Sequence, residues 1–205
     1  MKVQKLLLAL CFVMFGLGLN KAQAQTDIDT VCAGATGVTY SVTNTAGSTY
    51  YWVINGGTQA TGGNTNSITV DWSSTTGTDT IKVVEKSAAG CFGDTVKLAV
   101  FRMPLPTASI SGTTAICYNN STEITVDLTG IGPWNITYSD GTNSTTVNGI
   151  TSSPYKFNTP VLPTGSGVVT YTLTSVSNGF GCNGTVSGSA EITVNPKPVT
   201  SKISH

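Results

Sequence analysis

Four cysteines follow the apolar N-terminus of this chain, and they are the residues best suited to covalent chemistry: Cys32, Cys91, Cys117 and Cys182. Two of them stand in one recurring motif, Gly90-Cys91-Phe92-Gly93 and Gly181-Cys182-Asn183-Gly184. An even number of cysteines in an exported chain favours disulfides over free thiols. Three pairings are formally possible. Because the motif recurs with an earlier cysteine before each copy, the sequence predicts the bridges Cys32–Cys91 and Cys117–Cys182, one in each of two tandem modules.

The N-terminus predicts export. Lys2 and Lys5 precede an apolar run from Leu6 to Leu19, and Ala22-Gln23-Ala24 offers a small-x-small cleavage site. We therefore interpret residues 1–24 as a signal peptide, with Gln25 as the mature N-terminus. The apolar run is shorter than the roughly 20 residues that a membrane-spanning helix needs. The sequence thus predicts a protein of the cell surface, the extracellular space or the periplasmic side of the outer membrane, and not an integral membrane protein.

Few residues of the chain could support catalysis. The single histidine is His205, so Ser-His and Cys-His arrangements cannot form inside the fold. The cysteines are far apart in sequence, which argues against a zinc site. Asp27 and Asp29 leave calcium as an alternative, because hard oxygen ligands on loops can bind Ca²⁺ between sandwiches. The sequence predicts no enzyme activity, no cofactor and no metal site.

The charge of the mature chain argues against nucleic acid as a partner. Without the leader it keeps seven basic and ten acidic side chains, a net charge of about −3. Phosphate backbones are bound by clustered Lys and Arg, and here only Arg102 and scattered lysines are available.

Strand patterns recur along the whole mature chain. Val38, Tyr40 and Val42 alternate with polar residues, and Val168–Thr174 gives the clearest such run. Turn signals separate these runs every 8 to 12 residues or so, which is typical of β-sandwiches. The sequence therefore predicts an all-β chain of two tandem immunoglobulin-like sandwiches, at residues 25–103 and 104–198, followed by a short tail at 199–205. Two prolines in Arg102-Met103-Pro104-Leu105-Pro106 predict a stiff link between the sandwiches.

The aromatic residues divide between core and surface. In a strand, Tyr50 and Trp52 point to one face and Tyr51 to the other. We predict that Trp52, Trp72 and Trp134 lie in the cores, and that Tyr51 is a surface contact.

Several motifs carry a family resemblance: Val31-Cys32-Ala33-Gly34, Tyr51-Trp52-Val53-Ile54-Asn55-Gly56-Gly57, Ile68-Thr69-Val70-Asp71-Trp72 and Gly90-Cys91. Together they resemble the PKD-like and immunoglobulin-like repeats of exported Bacteroidetes surface proteins, which include large adhesins linked to gliding motility. The resemblance is specific in the first module and looser in the second. It implies a spacer or adhesive module at the cell surface without catalysis of its own.

From these observations we expect a non-enzymatic structural or adhesive protein of the bacterial envelope. Its partner would be an envelope or outer-membrane protein, or a second copy of the chain. Two alternatives stay open. An accessory subunit of type IX secretion or gliding machinery would co-purify with outer-membrane components, and a carbohydrate-binding module would display exposed, coplanar aromatic rings to a glycan.

Overall fold

A computed structural model describes residues 28–163, 165 and 167–203, so the predicted leader lies outside the described residues. Within these ranges the chain is all β, with fifteen strands and no helix. No helix in this described part is long and apolar enough to cross a membrane.

The first module contains the strands up to Met103: β1 (Ile28–Cys32), β2 (Val38–Ser41), β3 (Thr49–Ile54), β4 (Gly57–Thr61), β5 (Ser67–Trp72), β6 (Gly77–Lys86) and β7 (Val96–Met103). Four strands form one sheet in the order β1-β7-β6-β3, and three form the other in the order β2-β5-β4. β1 runs parallel to β7, and the other neighbours are antiparallel. This is an immunoglobulin-like sandwich.

The core of the first module follows from the period-two pattern. In β5, Ile68, Val70 and Trp72 are buried while the residues between them are half-buried. They pack against Tyr40, Ile81 and Val100 from both sheets. Alternation thus places one apolar face of each sheet against the other.

The second module contains the remaining strands: β8 (Thr107–Ser111), β9 (Thr114–Cys117), β10 (Glu123–Thr129), β11 (Trp134–Ser139), β12 (Ser144–Ile150), β13 (Tyr155–Asn158), β14 (Val168–Asn178) and β15 (Thr185–Asn195). They pair in the order β12-β11-β14-β15-β8-β10-β13. The first part of β15 pairs with β8 and its last part with β9, so β15 joins both faces. No strand pairing among the described residues links this module to the first one.

One disulfide joins the two modules, and the predicted pairing is wrong. The bridge links Cys32 to Cys182 with a Cα–Cα distance of 5.5 Å. Cys91 and Cys117 are exposed free thiols.

The strand topology of the first module explains why Cys32 does not pair with Cys91. Cys32 lies opposite Met103, beside the link between modules, whereas Cys91 precedes β7 at its other end. The eight residues of β7 span about 23 Å at 3.3 Å per residue. Bridged cysteines need Cα atoms within roughly 7 Å, so Cys32 and Cys91 cannot pair.

The second module separates its two cysteines in the same way. Cys182 lies in the turn between β14 and β15, next to the link, because the Thr185 amide donates to the Pro106 carbonyl at 3.2 Å. Cys117 lies opposite Asn195, at the other end of β15. The two cysteines of each module therefore lie at opposite ends of its sandwich, and the two that lie beside the link, Cys32 and Cys182, bond to each other.

Further contacts close the junction around this bridge. The Asn178 side-chain amide lies 3.5 Å from the Met103 sulfur, and both residues are buried. A Cβ added at Gly184 would clash with the Pro106 carbonyl. The turn of the second module is therefore packed directly on the end of the first.

Candidate interaction surface

The outer face of β3 presents an apolar surface. Tyr51 and Val53 are 41% and 54% exposed, whereas Tyr50, on the inner face of the same strand, is 1% exposed. β3 pairs only with β6 among the described strands, so it forms an edge of its sheet. The structure thus places Tyr51 on the surface, as its position in the alternation predicts.

Phe92 extends this surface from the loop between β6 and β7. The loop folds back on β6 because the Ser87 amide donates to the Cys91 carbonyl at 2.9 Å and the Gly93 amide to the Glu85 carbonyl at 2.8 Å. Phe92 is 64% exposed, and its ring centroid lies 5.9 Å from that of Tyr51. We call Tyr51, Val53 and Phe92 the aromatic patch.

A cation lies beside the patch. The Lys86 ammonium is 5.3 Å from the centroid of the Phe92 ring, within the range of a cation–π contact. The patch therefore combines exposed aromatic and aliphatic carbon with one positive charge. Exposed apolar residues that cluster in this way are typical of protein–protein contacts.

Sequence reasoning found Tyr51 but not its two companions. Val53 follows from the same alternation, since it lies two residues after Tyr51 on the same face. Phe92 had a signal as well, because a large apolar residue between Gly90-Cys91 and Gly93 stands in a turn, where few neighbours can bury it.

A groove lies where the two sheets of the first module meet. Its lining contains Tyr40 and Ser41 of β2, Val42 just after that strand, Val96, Lys97 and Leu98 of β7, and also Trp52, Ile81 and Val83. It continues past Glu85 and Asp94 toward Phe92 and Cys91. We call it the β2–β7 groove.

Tyr40 at the groove is held by a carboxylate. Its hydroxyl donates to Asp29 Oδ2 at 2.9 Å, and its ring packs edge-on against Trp72 with centroids 6.1 Å apart. Burial, the hydrogen bond to Asp29 and the charge of that carboxylate together raise the pKa of the Tyr40 hydroxyl well above its ordinary value. The Asp29 carboxylate is thus the hydrogen-bond acceptor of Tyr40 in this structure. Asp27, the other carboxylate of the calcium alternative, lies outside the described residues.

The tryptophans divide differently from the prediction. Trp72 is buried at 4% exposure, as expected for the core. Trp52 and Trp134 are half-buried at the margins of their cores. Their indole N–H groups donate to the carbonyls of Thr65 and Thr129, both at 2.9 Å, which explains why the rings stay at the rim.

The carboxylates and cysteines in the described part of the chain do not gather into a metal-binding cluster. No group of three His, Cys, Asp or Glu residues there could hold a metal ion. Asp79, itself partly buried, forms an ion pair with the buried Arg102. Asp140 caps its own turn by accepting hydrogen bonds from the Asn143 amide at 2.6 Å and the Thr142 amide at 2.8 Å. Those turn hydrogen bonds lower the pKa of Asp140.

Comparison with known proteins supports the description of the first module. Residues 19–100 match a family described as PKD-like domain. The comparison with curated proteins gave no significant match.

Similarity to solved structures is weak in sequence and in superposition. The fibronectin(III)-like modules of Clostridium thermocellum CbhA are 16% identical, with 86% of this chain and 94% of that chain covered and a TM-score of 0.39. An I-band fragment of titin is 8% identical over 86% and 64%, with a TM-score of 0.40. The Bacteroides ovatus protein SGBP-B, in complex with a mixed-linkage heptasaccharide, is 16% identical over 85% and 46%, with a TM-score of 0.25. Scores this low add nothing to the strand pairing described above, and the first module is similar to a PKD-like domain on the sequence match.

Proposed function

We propose that this chain is a non-enzymatic structural or adhesive protein of the bacterial envelope, and that its immunoglobulin-like modules bind another protein. The aromatic patch is the observation that carries the proposal. Three exposed apolar side chains stand together on one edge of the first sandwich, with 41%, 54% and 64% of their surfaces accessible. Burying such a patch against a partner stabilises a complex by the hydrophobic effect.

Other features support an exported location. A disulfide between Cys32 and Cys182 suits an oxidising compartment outside the cytoplasm. The signal peptide at residues 1–24 would direct the chain there. Within this proposal the protein works at the cell surface or on the periplasmic side of the outer membrane.

The patch favours a protein partner over a glycan. Sugar rings stack on flat aromatic platforms, and two platform residues are most useful when their planes are nearly parallel. The planes of Tyr51 and Phe92 make an angle of 48°. Tilted rings with a neighbouring valine and lysine fit the uneven surface of a protein better.

The test is a cross-linking pull-down of the tagged mature protein from its native envelope, identified by mass spectrometry. The proposal predicts that outer-membrane or other envelope proteins are recovered, and that Phe92→Ser lowers their recovery. Phe180→Ser is the matched control, because Phe180 is 61% exposed but lies in the turn beside the module link. If both variants recover the same proteins in the same amounts, the patch is not the binding surface. Binding on a glycan array with no protein recovered would favour the carbohydrate-binding alternative.

A further inference from the structure

The first module lacks a strand that the second one has. In the second module, β8 pairs antiparallel with β10 and parallel with the first part of β15. The equivalents of β10 and β15 in the first module are β2 and β7. β2 pairs with β5 alone among the described strands, and β1 pairs with β7 only from Ala99 onward.

The β2–β7 groove is the place of this missing strand. It runs between the open edge of β2 and the three residues of β7 that precede Ala99, namely Val96–Leu98. Its lining includes the core side chains of Ile81 and Val83, which are 3% and 6% exposed. The Val42 amide bonds to the Asn66 carbonyl at 2.9 Å. In an antiparallel ladder the pairing alternates, so the backbone groups of Thr39 and Ser41 point to the open edge.

An exposed segment of the same length as β8 follows β15, and in an extended conformation it would place Val199, Ser201 and Ile203 on one face. In β8, Ala108 and Ile110 are buried, and the residues on either side of them are not. After the prolines that end β15, Val199, Ser201 and Ile203 alternate with Thr200 and Lys202. Val199 and Ile203 are 97% and 100% exposed, and residues 196–203 belong to no strand.

The groove and this segment lie at opposite ends of their modules relative to the link. β7 runs from the groove at Val96 to Met103 beside the link, and β15 runs from Thr185 beside the link to Asn195. The segment is therefore out of reach of the groove in the same molecule. From Asn195 to Val199 the chain can span about 12 Å in the extended form typical of proline-rich peptides, enough to enter a groove on a neighbouring copy.

The two free thiols lie at the same two ends. Cys91 lines the outer end of the groove with Phe92, and Cys117 lies opposite Asn195, where the segment begins. If the segment of one copy enters the groove of the next at its outer end, it runs antiparallel to β2, as β8 runs to β10. Cys117 of the donor then comes close to Cys91 of the acceptor.

We propose that copies of this chain associate head to tail, with residues 199–203 of one copy added as a strand in the β2–β7 groove of the next. The inference rests on the proposed interaction function and names a second copy as the partner. Because the contact joins two different surfaces, it repeats from copy to copy and builds a ring where the rotation between copies closes, or an open filament where it does not. With the leader removed after Ala24, as the sequence predicts, three residues precede β1. This segment is shorter than the five residues of β8, so it is too short to supply the missing strand from the same copy.

A disulfide bond between Cys91 of one copy and Cys117 of the next can then form, with a small disulfide compound as the oxidant. The Cys91 thiolate attacks oxidised glutathione, forms a mixed disulfide and releases one glutathione thiolate. The Cys117 thiolate of the neighbouring copy then attacks the Cys91 sulfur, forms the Cys91–Cys117 bond and releases the second glutathione. The two protein thiols lose two protons, and their two electrons reduce one glutathione disulfide to two thiols.

The first test is sedimentation velocity of the mature C91S/C117S protein over a range of concentrations, which measures non-covalent association. The proposal predicts oligomers that grow with concentration. V199S/I203S should weaken this association by about a hundredfold, since the burial of two apolar side chains in the groove is lost. Thr200→Ser, on the other face of the segment, should leave it unchanged. These substitutions lie outside every strand, so the fold is preserved.

The second test is oxidation of the wild-type protein with oxidised glutathione, followed by peptide mapping. Head-to-tail association predicts the Cys91–Cys117 cross-link alone, whereas random collision also gives Cys91–Cys91 and Cys117–Cys117. A protein that is monomeric at every concentration, or that gives all three cross-links, overturns this inference. Envelope proteins recovered by such a monomer would still support the proposed interaction function, and the two failures are thereby distinguished.

Discussion

Arg102 is the most deeply buried charged side chain described, at 6% exposure, and its guanidinium group is held by hydrogen bonds. Its Nε donates to Asp79 Oδ2 at 2.7 Å, and Nη1 donates to Thr75 Oγ1 at 3.0 Å and to the Thr75 carbonyl. These bonds fix the loop between β5 and β6 against the end of β7. Neutralising Asp79 would leave a buried guanidinium without its counter-ion.

We predict that Asp79→Asn lowers the free energy of unfolding by about 3–5 kcal/mol, as for other broken buried pairs. Chemical denaturation at neutral pH measures it. The control is Glu123→Gln, which removes the exposed pair with Lys156 at 2.8 Å and should cost at most about 1 kcal/mol. Equal effects of the two substitutions would contradict a structural role for the buried pair.

Tyr40 gives a prediction for alkaline pH. Its pKa is raised in the folded state above the ordinary value of 10.0 by burial and by Asp29. The folded state therefore holds this proton more tightly, so the stabilisation is complete below pH 10 or so and is lost as the pH rises further. Unfolding by denaturant at pH 9 and pH 11 should show a smaller loss of stability for Tyr40→Phe than for the wild type. An equal loss in both proteins would show that other groups cause the alkaline destabilisation.

At the residue scale, the sequence predicts side-chain direction better than side-chain partners. The alternation in β3 places Tyr51 outward and Tyr50 inward, and both are found so. The pairing of Arg102 with Asp79 could not be predicted from the sequence, because it depends on the register of β6 against β7. Trp52 and Trp134 were assigned to the core by type, but their indole N–H groups hold them at the rim.

Among the elements, the turn between β14 and β15 depends most on a single side chain. Asn178 is 2% exposed, and its Oδ1 accepts hydrogen bonds from the amides of Phe180 and Cys182 at 3.1 and 3.0 Å. These bonds position Cys182 for its disulfide and bring Gly184 against Pro106. Asn178 therefore connects the shape of a turn to the module junction.

We predict that Asn178→Ala lowers the free energy of unfolding by about 1–3 kcal/mol, because the buried amide of Cys182 and the partly buried amide of Phe180 lose their acceptor. Denaturant unfolding of the oxidised protein measures it. Asn183→Ala is the control, since Asn183 is exposed in the same turn and its substitution should change stability by less than about 0.5 kcal/mol. If both variants were equally stable, the turn would be determined by its backbone alone.

Strands with a buried face are the ones that the sequence predicts. β5, β10 and β14 carry clear alternation and have a buried residue at every second position over much of their length. β4 and β12 are largely exposed, with the sequences Gly-Thr-Gln-Ala-Thr and Ser-Thr-Thr-Val-Asn-Gly-Ile, and no periodicity identifies them. An edge strand is held by backbone pairing, which leaves little trace in side-chain type.

For the whole molecule, the repeat predicts two sandwiches correctly but misleads on the disulfides. Equivalent cysteines suggested one bridge inside each module, yet strands separate the members of each predicted pair by the length of a sandwich. Sequence spacing contains no information about the end of a module at which a loop lies. The bridge across the junction depends on the way the two modules are joined end to end.

The bridge gives the last prediction, because it encloses most of both modules with a sequence separation of 150 residues. Closing a loop of that length restricts the unfolded chain, and on the chain-entropy model C32A/C182A should lower the free energy of unfolding by up to about 5 kcal/mol. C91S/C117S should leave the free energy of unfolding nearly unchanged, since neither thiol forms a disulfide. Small-angle scattering should also show a broader distribution of intramolecular distances for C32A/C182A, because the link and the contacts of Asn178 and Gly184 then hold the modules together without the disulfide. An unchanged distribution would mean that these contacts fix the orientation without the disulfide, whose role would then be confined to stability.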